Sequence, residues 1–219
     1  MKGPPDGPQA TEENRRPLAS RQAAWAKALA RWLAAAAITP NQISLASIGF
    51  SALAGLGFWG AGWAGGEARA ALLLTAAFGC QLRLICNLMD GMVAIEGGKG
   101  AGDGPFWNEF PDRLSDIFIF VGLGLGLQSA ALGWAAACLC VLTAYTRELG
   151  RTIGLPADFS GPMAKPQRMA VATAAALATL VEPLWSGRGE LLLAALWLVT
   201  LGAAVTTLRR AVRIVKALT

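Results

Sequence analysis

Residues 87–116 read NLMDGMVAIEGGKGAGDGPFWNEFPDRLSD, a stretch rich in polar and acidic side chains. It holds six of the fourteen Asp and Glu residues of the chain within thirty positions, and apolar sequence flanks it on both sides. Carboxylates placed between hydrophobic runs carry a large desolvation cost unless a cation offsets their charge. The stretch therefore predicts a binding site for a divalent metal ion. Its acids are Asp90, Glu96, Asp103, Glu109, Asp112 and Asp116.

The composition of the whole chain is typical of a membrane protein. Of the 219 residues, 54% are hydrophobic and 15% are charged, and the mean hydropathy is +0.46. Several charge-free runs reach the length of a membrane-spanning helix. The net charge of +5 comes from cations beside these runs, which favours membrane lipids over nucleic acid as a partner. We therefore expect an all-α, polytopic membrane protein.

The chain contains no histidine. Catalysis by Ser-His-Asp or Cys-His groups and histidine-ligated zinc are therefore excluded, and carboxylates must carry any acid–base chemistry. The cysteines lie in apolar segments without the pairing of a zinc site, so we expect free thiols within a membrane core. They are Cys80, Cys86, Cys138 and Cys140.

Two features precede the first membrane span. Residues 1–17 are rich in proline, glycine and charge, which predicts a disordered tail. Over residues 18–37 apolar side chains recur at helical spacing while cations favour another side, which predicts an amphipathic helix. Trp25 and Trp32 suit the headgroup level, so this helix is expected to lie in the membrane interface. An ordinary helix packed on the protein is the alternative. Residues 18–219 then form a single membrane domain.

Six transmembrane helices are predicted after the sequence Thr39-Pro40-Asn41, whose polar side chains can cap the first of them. Arg83 lies inside the second helix, and a cation at that depth is expected to face the acids or a phosphate rather than lipid. The predicted spans lie within residues 42–208, and the first two are 42–63 and about 67–96. The third runs from 106 to a turn at 128–133, and the fourth from that turn to 147–151. The last two are 167–184 and 189–208.

The interval 117–146 determines where the third helix begins. It contains no charged residue over thirty positions, about 45 Å as one helix against a hydrocarbon thickness of roughly 30 Å. It is also too short for two complete spans. The third helix must therefore begin near Phe106, which places Asp112 and Asp116 at the edge of the bilayer or below it.

The distribution of cations predicts the orientation. With six spans, sixteen of the nineteen Lys and Arg residues fall on the side that carries the acidic stretch, the exceptions being Arg69, Arg83 and Arg188. The positive-inside rule makes that side cytoplasmic. We therefore expect a protein of a bacterial-type inner or plasma membrane, with its active site facing the cytoplasm.

The polar side chains of the stretch fall on shared helix faces. Asn87 and Asp90 are three residues apart on the second helix, and Asn108, Asp112 and Asp116 recur every four residues on the third. Two facing helices would present these oxygen ligands to one point, and hard oxygen ligands suit Mg²⁺ or Mn²⁺. Small residues nearby leave room for a bulky ligand or for close helix packing, and both roles stay open. They are Gly91, Ala94, Gly97, Gly98 and Gly104.

This spacing resembles the signature of the CDP-alcohol phosphotransferase family, also called CDP-alcohol phosphatidyltransferases, DxxDGxxARx8Gx3Dx3D. The TPN sequence at residues 39–41, the six-helix plan and the amphipathic leader resemble the family as well, and the similarity covers roughly residues 18–210. Five residues occupy motif positions without an insertion: Asp90, Gly91, Ala94, Gly104 and Asp112.

The chain departs from the signature at three positions. Asn87 and Asn108 stand where the motif has its first and third aspartates, and Ile95 stands at its arginine. An amide oxygen can ligate a metal ion, but two negative charges are gone. The sequence resembles an Asn-containing branch of the family, with a GPxxK sequence at 161–165.

The resemblance implies a metal-dependent transfer reaction of phospholipid biosynthesis. An acceptor alcohol attacks the phosphorus that carries the lipid or alcohol group of a CDP-alcohol, expected to be CDP-diacylglycerol, and CMP leaves. The acceptor alcohol is not identified, and the family implies a homodimer. The implied metal ligands are Asn87, Asp90, Asn108 and Asp112. Glu96, Glu109 and Asp116 are extra acids that could restore the missing charge.

The resemblance also implies roles for the remaining polar residues of the site. Asp112 is the expected base for the acceptor hydroxyl, and Asp116 is the second candidate. The cytidine nucleotide is expected to contact Asp90, Gly91, Ala94 and Gly104. Candidates for binding the acceptor phosphate or a lipid headgroup are Arg83, Arg147, Arg151, Lys165 and Arg168, and for each the alternative is a cation that only sets topology.

Two other functions remain open. A catalytically weakened relative would bind a CDP-lipid or a metal ion without turnover, which the two asparagines motivate. A small transporter would also explain buried acids, but its acids should be spread along a path through the bilayer, whereas these gather at one end.

Overall fold

The structure, a computed structural model, describes residues 23–96, 102–184 and 187–219. Within these ranges it is built from seven α-helices and one 3-10 turn, so the prediction of an all-α chain is confirmed for them. The helices are α1 (Ala24–Ala35), α2 (Pro40–Ala61), α3 (Gly66–Glu96), α4 (Gly104–Gly126), α5 (Ala130–Thr152), α6 (Lys165–Thr179) and α7 (Glu190–Leu218), and the 3-10 turn is Glu182–Leu184.

Some predicted features lie outside the described residues. They are the tail at 1–17, the beginning of the amphipathic segment at 18–22, and the Gly97 and Gly98 pair. The side chain of Glu96, at the end of α3, is also outside them. The disordered tail and the role of these glycines therefore stay predictions.

Helices α2 to α7 run alternately up and down. Asn41 Nδ2, in the first turn of α2, donates to Asp103 Oδ2 at the start of α4 at 3.0 Å. Arg210 donates to Thr143 O, which joins the C-terminal halves of α7 and α5. One end of the bundle therefore gathers the starts of α2, α4 and α6 with the ends of α3, α5 and α7. We call it the site end, and the opposite end the far end.

The helices have the length and surface of membrane spans. Four of those described, α2, α3, α5 and α7, are long and apolar enough to cross a membrane. Large apolar side chains are exposed along them, including Phe78 at 65% and Leu201 at 59%. Such exposure on an ordinary soluble surface would be unfavourable, whereas lipid tails accommodate it. The chain is an integral membrane protein.

The start of α2 is defined by local hydrogen bonds, as the sequence suggested. Thr39 Oγ1 accepts from the Gln42 amide at 3.2 Å, and Gln42 Oε1 accepts from the Thr39 amide at 2.9 Å. This reciprocal capping box satisfies two backbone donors of the helix start. Pro40 follows at the first helical position, where its missing N–H costs nothing.

Glycines bring α2, α3 and α4 into backbone contact. A Cβ atom on Gly122 of α4 would overlap the carbonyl oxygen of Gly55 in α2, and one on Gly57 would lie 2.8 Å from Leu72 O of α3. Larger side chains at these positions would push the helices apart. The close contact holds the site-bearing helices α3 and α4 against the common partner α2.

Helix α1 packs against the end of α3 that leads into the acidic stretch. Ala26 and Ala30 are completely buried and form a small core with residues of α3 that include Met89 and Val93. Trp25 and Trp32 remain exposed. The helix thus packs on the rest of the protein, which was the alternative to an interfacial helix. Both indoles still point outward. A position in the membrane interface therefore stays a prediction.

The last two helices differ from their predicted bounds. Helix α6 ends at Thr179 rather than continuing to Leu184, because the chain turns into a short 3-10 segment that contains Pro183. The buried Glu182 of that segment accepts hydrogen bonds from the amides of Gly189 (2.8 Å) and Leu191 (3.0 Å). It therefore caps the first turn of α7.

Helix α7 is longer than predicted. It continues ten residues beyond the expected end at Leu208, to Leu218, so the predicted basic tail is helical. The buried Arg210 explains part of this extension, because its guanidinium donates to Ser160 O at 3.0–3.1 Å and to Thr143 O.

The substitution Gly122→Ala is expected to destabilise the protein by about 1–3 kcal/mol, because the added methyl group overlaps the backbone of α2. Gly49→Ala in α2 is the matched control, since its Cβ meets no atom within 4 Å and alanine favours helix by about 1 kcal/mol. Thermal unfolding in detergent should show a lower midpoint for the first variant only. Equal midpoints for Gly122→Ala and the wild type would contradict the close packing of α2 and α4.

Candidate active site

Three buried acids meet three cations at the site end of the bundle. Asp90 lies on α3, and Asp112 and Asp116 lie one turn apart on α4, each less than 9% exposed. The cations come from α3 (Arg83) and from the start of α6 (Lys165 and Arg168). Because each charge has a partner of opposite sign nearby, the cluster can be buried among apolar helices.

Asp116 is held by two arginines. Arg168 NH2 lies 2.7 Å from its Oδ2 atom, and Arg83 NH2 lies 3.3 Å from its Oδ1 atom. Arg168 also donates to Thr143 Oγ1 of α5 at 2.9 Å. Asp116 thus connects α3, α4 and α6, and through Arg168 it reaches α5.

Asp112 faces a different set of partners. Lys165 Nζ donates both to Asp112 Oδ2 and, at 2.6 Å, to Asn87 Oδ1 of α3. Arg83 NH2 forms a longer ion pair, 3.4 Å, with Asp112 Oδ1. That Oδ1 atom is buried and accepts no hydrogen bond from the described residues. One oxygen of Asp112 therefore retains the capacity to bind a ligand.

Asp90 lies one turn after Asn87, and its carboxylate is oriented by hydrogen bonds from α2 and from its own helix. Its Oδ2 atom accepts from Ser44 Oγ of α2 at 3.1 Å, and its Oδ1 atom accepts from the Gly91 amide at 2.6 Å. Lys165 and Asp112 both act electrostatically on Asp90. Lys165, which donates to Asn87 and to Asp112, links polar side chains of α3 and α4. Their joint role as metal ligands stays a prediction.

The residues present fit a hard divalent ion. Carboxylates of Asp90 and Asp112 and the amide oxygen of Asn87 are the ligand types that Mg²⁺ and Mn²⁺ prefer, and Asp112 Oδ1 is a buried oxygen with spare capacity. In the part of the chain that the structure describes, no three Asp, Glu, Cys or His side chains group tightly enough to hold a metal ion by themselves. Lys165 lies between the potential ligands instead.

Two of the six predicted metal ligands are engaged by arginines. Glu109 Oε2 accepts from Arg113 and Arg147, and both carboxylate oxygens of Asp116 face guanidinium groups. Asn108, one turn before Asp112, is exposed. The structure therefore brings Asn87, Asp90 and Asp112 together, and it directs Glu109 and Asp116 to other partners.

The five predicted phosphate-binding cations divide into two groups. Arg83, Lys165 and Arg168 belong to the buried cluster, so in this structure they contact acids. Arg147 stacks over the Phe159 ring at 5.4 Å and pairs with Glu148 at 2.8 Å. Arg151 pairs with Glu148 and is partly exposed. Their binding of a substrate phosphate stays a prediction.

The loop that delivers Lys165 and Arg168 is fixed by polar contacts. Asp158 Oδ2 accepts from Arg213 at 2.9 Å, and its Oδ1 atom accepts from the Ser160 amide at 2.8 Å. Burial alone would raise the pKa of Asp158, but the hydrogen bonds from Ser160 and Arg213 outweigh it and hold this pKa below its ordinary value. Asp158 is therefore ionised at neutral pH and ties the loop to α7.

Two glycines of the motif border open space. A Cβ atom added to Gly91 or to Gly104 would meet no atom of the described residues within 4 Å. No described residue packs against Gly91 or Gly104, so close helix packing within the described part of the chain is excluded as their role. The space beside Gly91, next to Asp90, is open to a ligand, and the contact of both glycines with a nucleotide stays a prediction.

Sequence comparison agrees with this geometry, although no protein-family model matches the chain. The chain is 30% identical over 162 residues to the inner membrane protein YnbA of Escherichia coli, covering 74% of this chain and 78% of YnbA. It is also 30% identical over 141 residues to a phosphatidylinositol phosphate synthase of Streptomyces avermitilis, covering 61% of this chain and 58% of that relative. The chain belongs to the CDP-alcohol phosphotransferase family.

The fold of a CDP-alcohol phosphotransferase is also the one seen here. The phosphatidylinositol phosphate synthase PgsA1 of Mycobacterium tuberculosis, in a crystal structure with CDP-DAG bound, superposes with a TM-score of 0.72 at 19% identity, covering 88% of this chain and 94% of PgsA1. PgsA1 in complex with manganese and citrate gives a TM-score of 0.71 at 19% identity, covering 86% and 88%. At this identity the likeness concerns the fold.

Sequence reasoning missed some polar residues of this buried cluster. Ser44 donates to Asp90, and it belongs to a row with Ser47 and Ser51 along the buried face of α2. The spacing of these serines at helical intervals is a signal that could have identified the face turned toward the acids. Thr143, which supports Arg168, lies in a long apolar run and carries no comparable signal.

The substitution Asp116→Ala is expected to destabilise the protein by about 3–5 kcal/mol, because it leaves the buried Arg83 and Arg168 without their shared carboxylate. Glu67→Ala, at an exposed position of the far end, should change stability by about 0.5 kcal/mol or less. The measurement is the thermal unfolding midpoint in detergent. A stable Asp116→Ala protein that has only lost activity would instead identify Asp116 as a reacting group.

Proposed function

We propose that the protein transfers a phosphatidyl group from CDP-diacylglycerol to an acceptor alcohol and releases CMP. The observation that carries this proposal is the convergence of Asp90, Asp112 and Asn87 from α3 and α4, at the motif positions of the family. The named activity of the Streptomyces relative and the CDP-DAG bound to PgsA1 support the choice of substrate.

The proposed reaction makes and breaks one bond to phosphorus. The acceptor oxygen bonds to the phosphorus that carries the diacylglycerol, the bond from that phosphorus to the CMP oxygen breaks, and the acceptor proton moves to a base. Bound Mg²⁺ or Mn²⁺ neutralises the diphosphate and the leaving phosphate. Asn87, Asp90 and Asp112 would hold the ion, and the open space at Gly91 and Gly104 would admit the cytidine nucleotide beside it.

Asp112 is the better candidate for the base. Its Oδ1 atom lies 3.4 Å from Arg83 NH2 but accepts no hydrogen bond within the described residues. Asp116 accepts hydrogen bonds on both oxygens, from Arg83 at 3.3 Å and from Arg168 at 2.7 Å. A proton acceptor needs a free lone pair within reach of the acceptor hydroxyl. Asp116 is better suited to orienting Arg83 and Arg168 than to removing a proton.

The proposed arrangement in the membrane follows from the helices and the cations. Helices α2 to α7 would form six spans of one membrane domain (18–219), and α1 would lie in the interface with both tryptophans toward the headgroups. Sixteen of the nineteen cations then lie with the site on the cytoplasmic side of an inner or plasma membrane. We keep the homodimer implied by the family as part of the proposal.

One observation favours a second function. Asn87 lacks the charge of the motif aspartate and accepts a hydrogen bond from Lys165, which lowers the capacity of the site for metal ions. A protein that binds the CDP-lipid without turnover would have this arrangement. The activity measurement below separates the two functions.

Purified protein with CDP-diacylglycerol, Mg²⁺ or Mn²⁺ and a panel of alcohols, including inositol phosphate and glycerol phosphate, is expected to release CMP with at least one of them. Asp112→Asn should reduce the rate by roughly 10²–10⁴-fold, because it removes the proton acceptor. Glu67→Gln is the matched acid-to-amide control at the far end, and its rate should be unchanged. CDP-lipid binding without CMP release for any acceptor would favour the second function.

The substitution Gly91→Ala is expected to raise the KM for CDP-diacylglycerol by roughly tenfold without lowering the unfolding midpoint. The reason is that its methyl group enters the open space beside Asp90 and meets no described atom of the protein. Gly49→Ala, which also adds a methyl group to an open position, should leave the KM unchanged. An unchanged KM in Gly91→Ala would place the nucleotide elsewhere.

A further inference from the structure

Lys165 lies where the oxygen ligands of α3 and α4 converge. Its ammonium group donates to the Asn87 amide oxygen at 2.6 Å and to Asp112 Oδ2, and it acts electrostatically on Asp90. The side chain is mostly buried, at 29% exposure. The ammonium group thus contacts two of the three side chains that would hold a metal ion.

The position of Lys165 is set by the fold. It is the first residue of α6, and the preceding loop is anchored to α7 through Ser160, whose carbonyl accepts from Arg210 at 3.0–3.1 Å. One turn later, Arg168 fixes the same helix to Asp116 at 2.7 Å. A lysine that is constrained on both sides is a built part of the site rather than a mobile surface cation.

The charges of the buried cluster leave room for one divalent ion. Asp90, Asp112 and Asp116 carry three negative charges, and Arg83, Lys165 and Arg168 carry three positive ones. One divalent cation and the doubly negative diphosphate of a CDP-lipid would keep the total neutral. A second divalent cation would leave two uncompensated positive charges in a low-dielectric region, which is unfavourable.

The two asparagines fit this charge balance. Relative to the signature of four aspartates, Asn87 and Asn108 remove two negative charges, which is the charge of one divalent cation. The neutral amide oxygen of Asn87 is a weaker ligand for a divalent ion than a carboxylate, yet it is a good acceptor for an ammonium group.

We propose that the Lys165 ammonium group serves as a built-in cation between α3 and α4, where it takes the place that a second metal ion could occupy, so that the chain binds a single divalent metal ion. The proposal rests on the proposed function for the identity of the diphosphate. The metal count itself is independent of turnover.

The test counts Mn²⁺ ions on the purified full-length protein in detergent with saturating CDP-diacylglycerol and no acceptor alcohol, from the loss of the free Mn²⁺ signal in electron paramagnetic resonance. The Mn²⁺ bound by the same lipid and detergent without protein is subtracted. Wild type and Lys165→Arg, which keeps the charge, are expected to bind one ion per chain. Lys165→Met removes the charge at similar length and is expected to bind one ion more. Equal numbers of bound ions in wild type and Lys165→Met would overturn the proposal.

A second pair of variants covers the case in which Lys165→Met fails to fold. Asn87→Asp alone should leave the Mn²⁺ count unchanged, because the new carboxylate pairs with Lys165, whereas Asn87→Asp combined with Lys165→Gln should add one ion. An added ion in Asn87→Asp alone would overturn the proposal, since the ammonium group would then be displaced.

These outcomes are distinguishable from a failure of the proposed function. A protein that releases no CMP but gains an ion in Lys165→Met would contradict the transferase activity and leave the built-in cation supported. A protein that releases CMP and binds the same number of ions with and without the Lys165 charge would retain the activity and lose the built-in cation.

Discussion

The need to compensate buried charge governs this structure. Asp112 and Asp116 project from α4 into a helical bundle, and their carboxylates are tolerated there because Arg83, Lys165 and Arg168 face them. These five side chains belong to three helices, so the requirement for neutrality also sets how those helices are placed. Removing one charged side chain would leave another without a partner in a region of low dielectric. The chemistry of the site is therefore tied to the stability of the bundle.

Close packing between helices is the second feature that fixes the position of the site. Gly55, Gly57 and Gly122 let the backbones of α2, α3 and α4 touch, so the site is built on helices that have little freedom to separate. Gly91 is different, because its face toward the site is open. Glycine thus allows close helix contact at Gly55, Gly57 and Gly122, and it leaves open space at Gly91.

The sequence predicted the elements that depend on local pattern. Three of its predictions follow from helical periodicity and the cost of burying charge: the orientation of Arg83 toward the acids, the start of α4 near Phe106 and the cap at Thr39. The contact of Lys165 with Asn87 joins residues 78 positions apart, and the capping of α7 by Glu182 depends on where another helix stops. Such contacts follow from tertiary packing, which a charge pattern along the chain does not encode.

Helix α6 has a consequence for the lipid around it. Its fifteen residues extend about 22 Å, which is less than a hydrocarbon thickness of roughly 30 Å. In the six-span arrangement proposed above, a helix of this length would draw the leaflets closer together or bring water deeper beside it. Because Lys165 is the first residue of α6, the same thinning would bring water close to the buried charges at this end of the bundle.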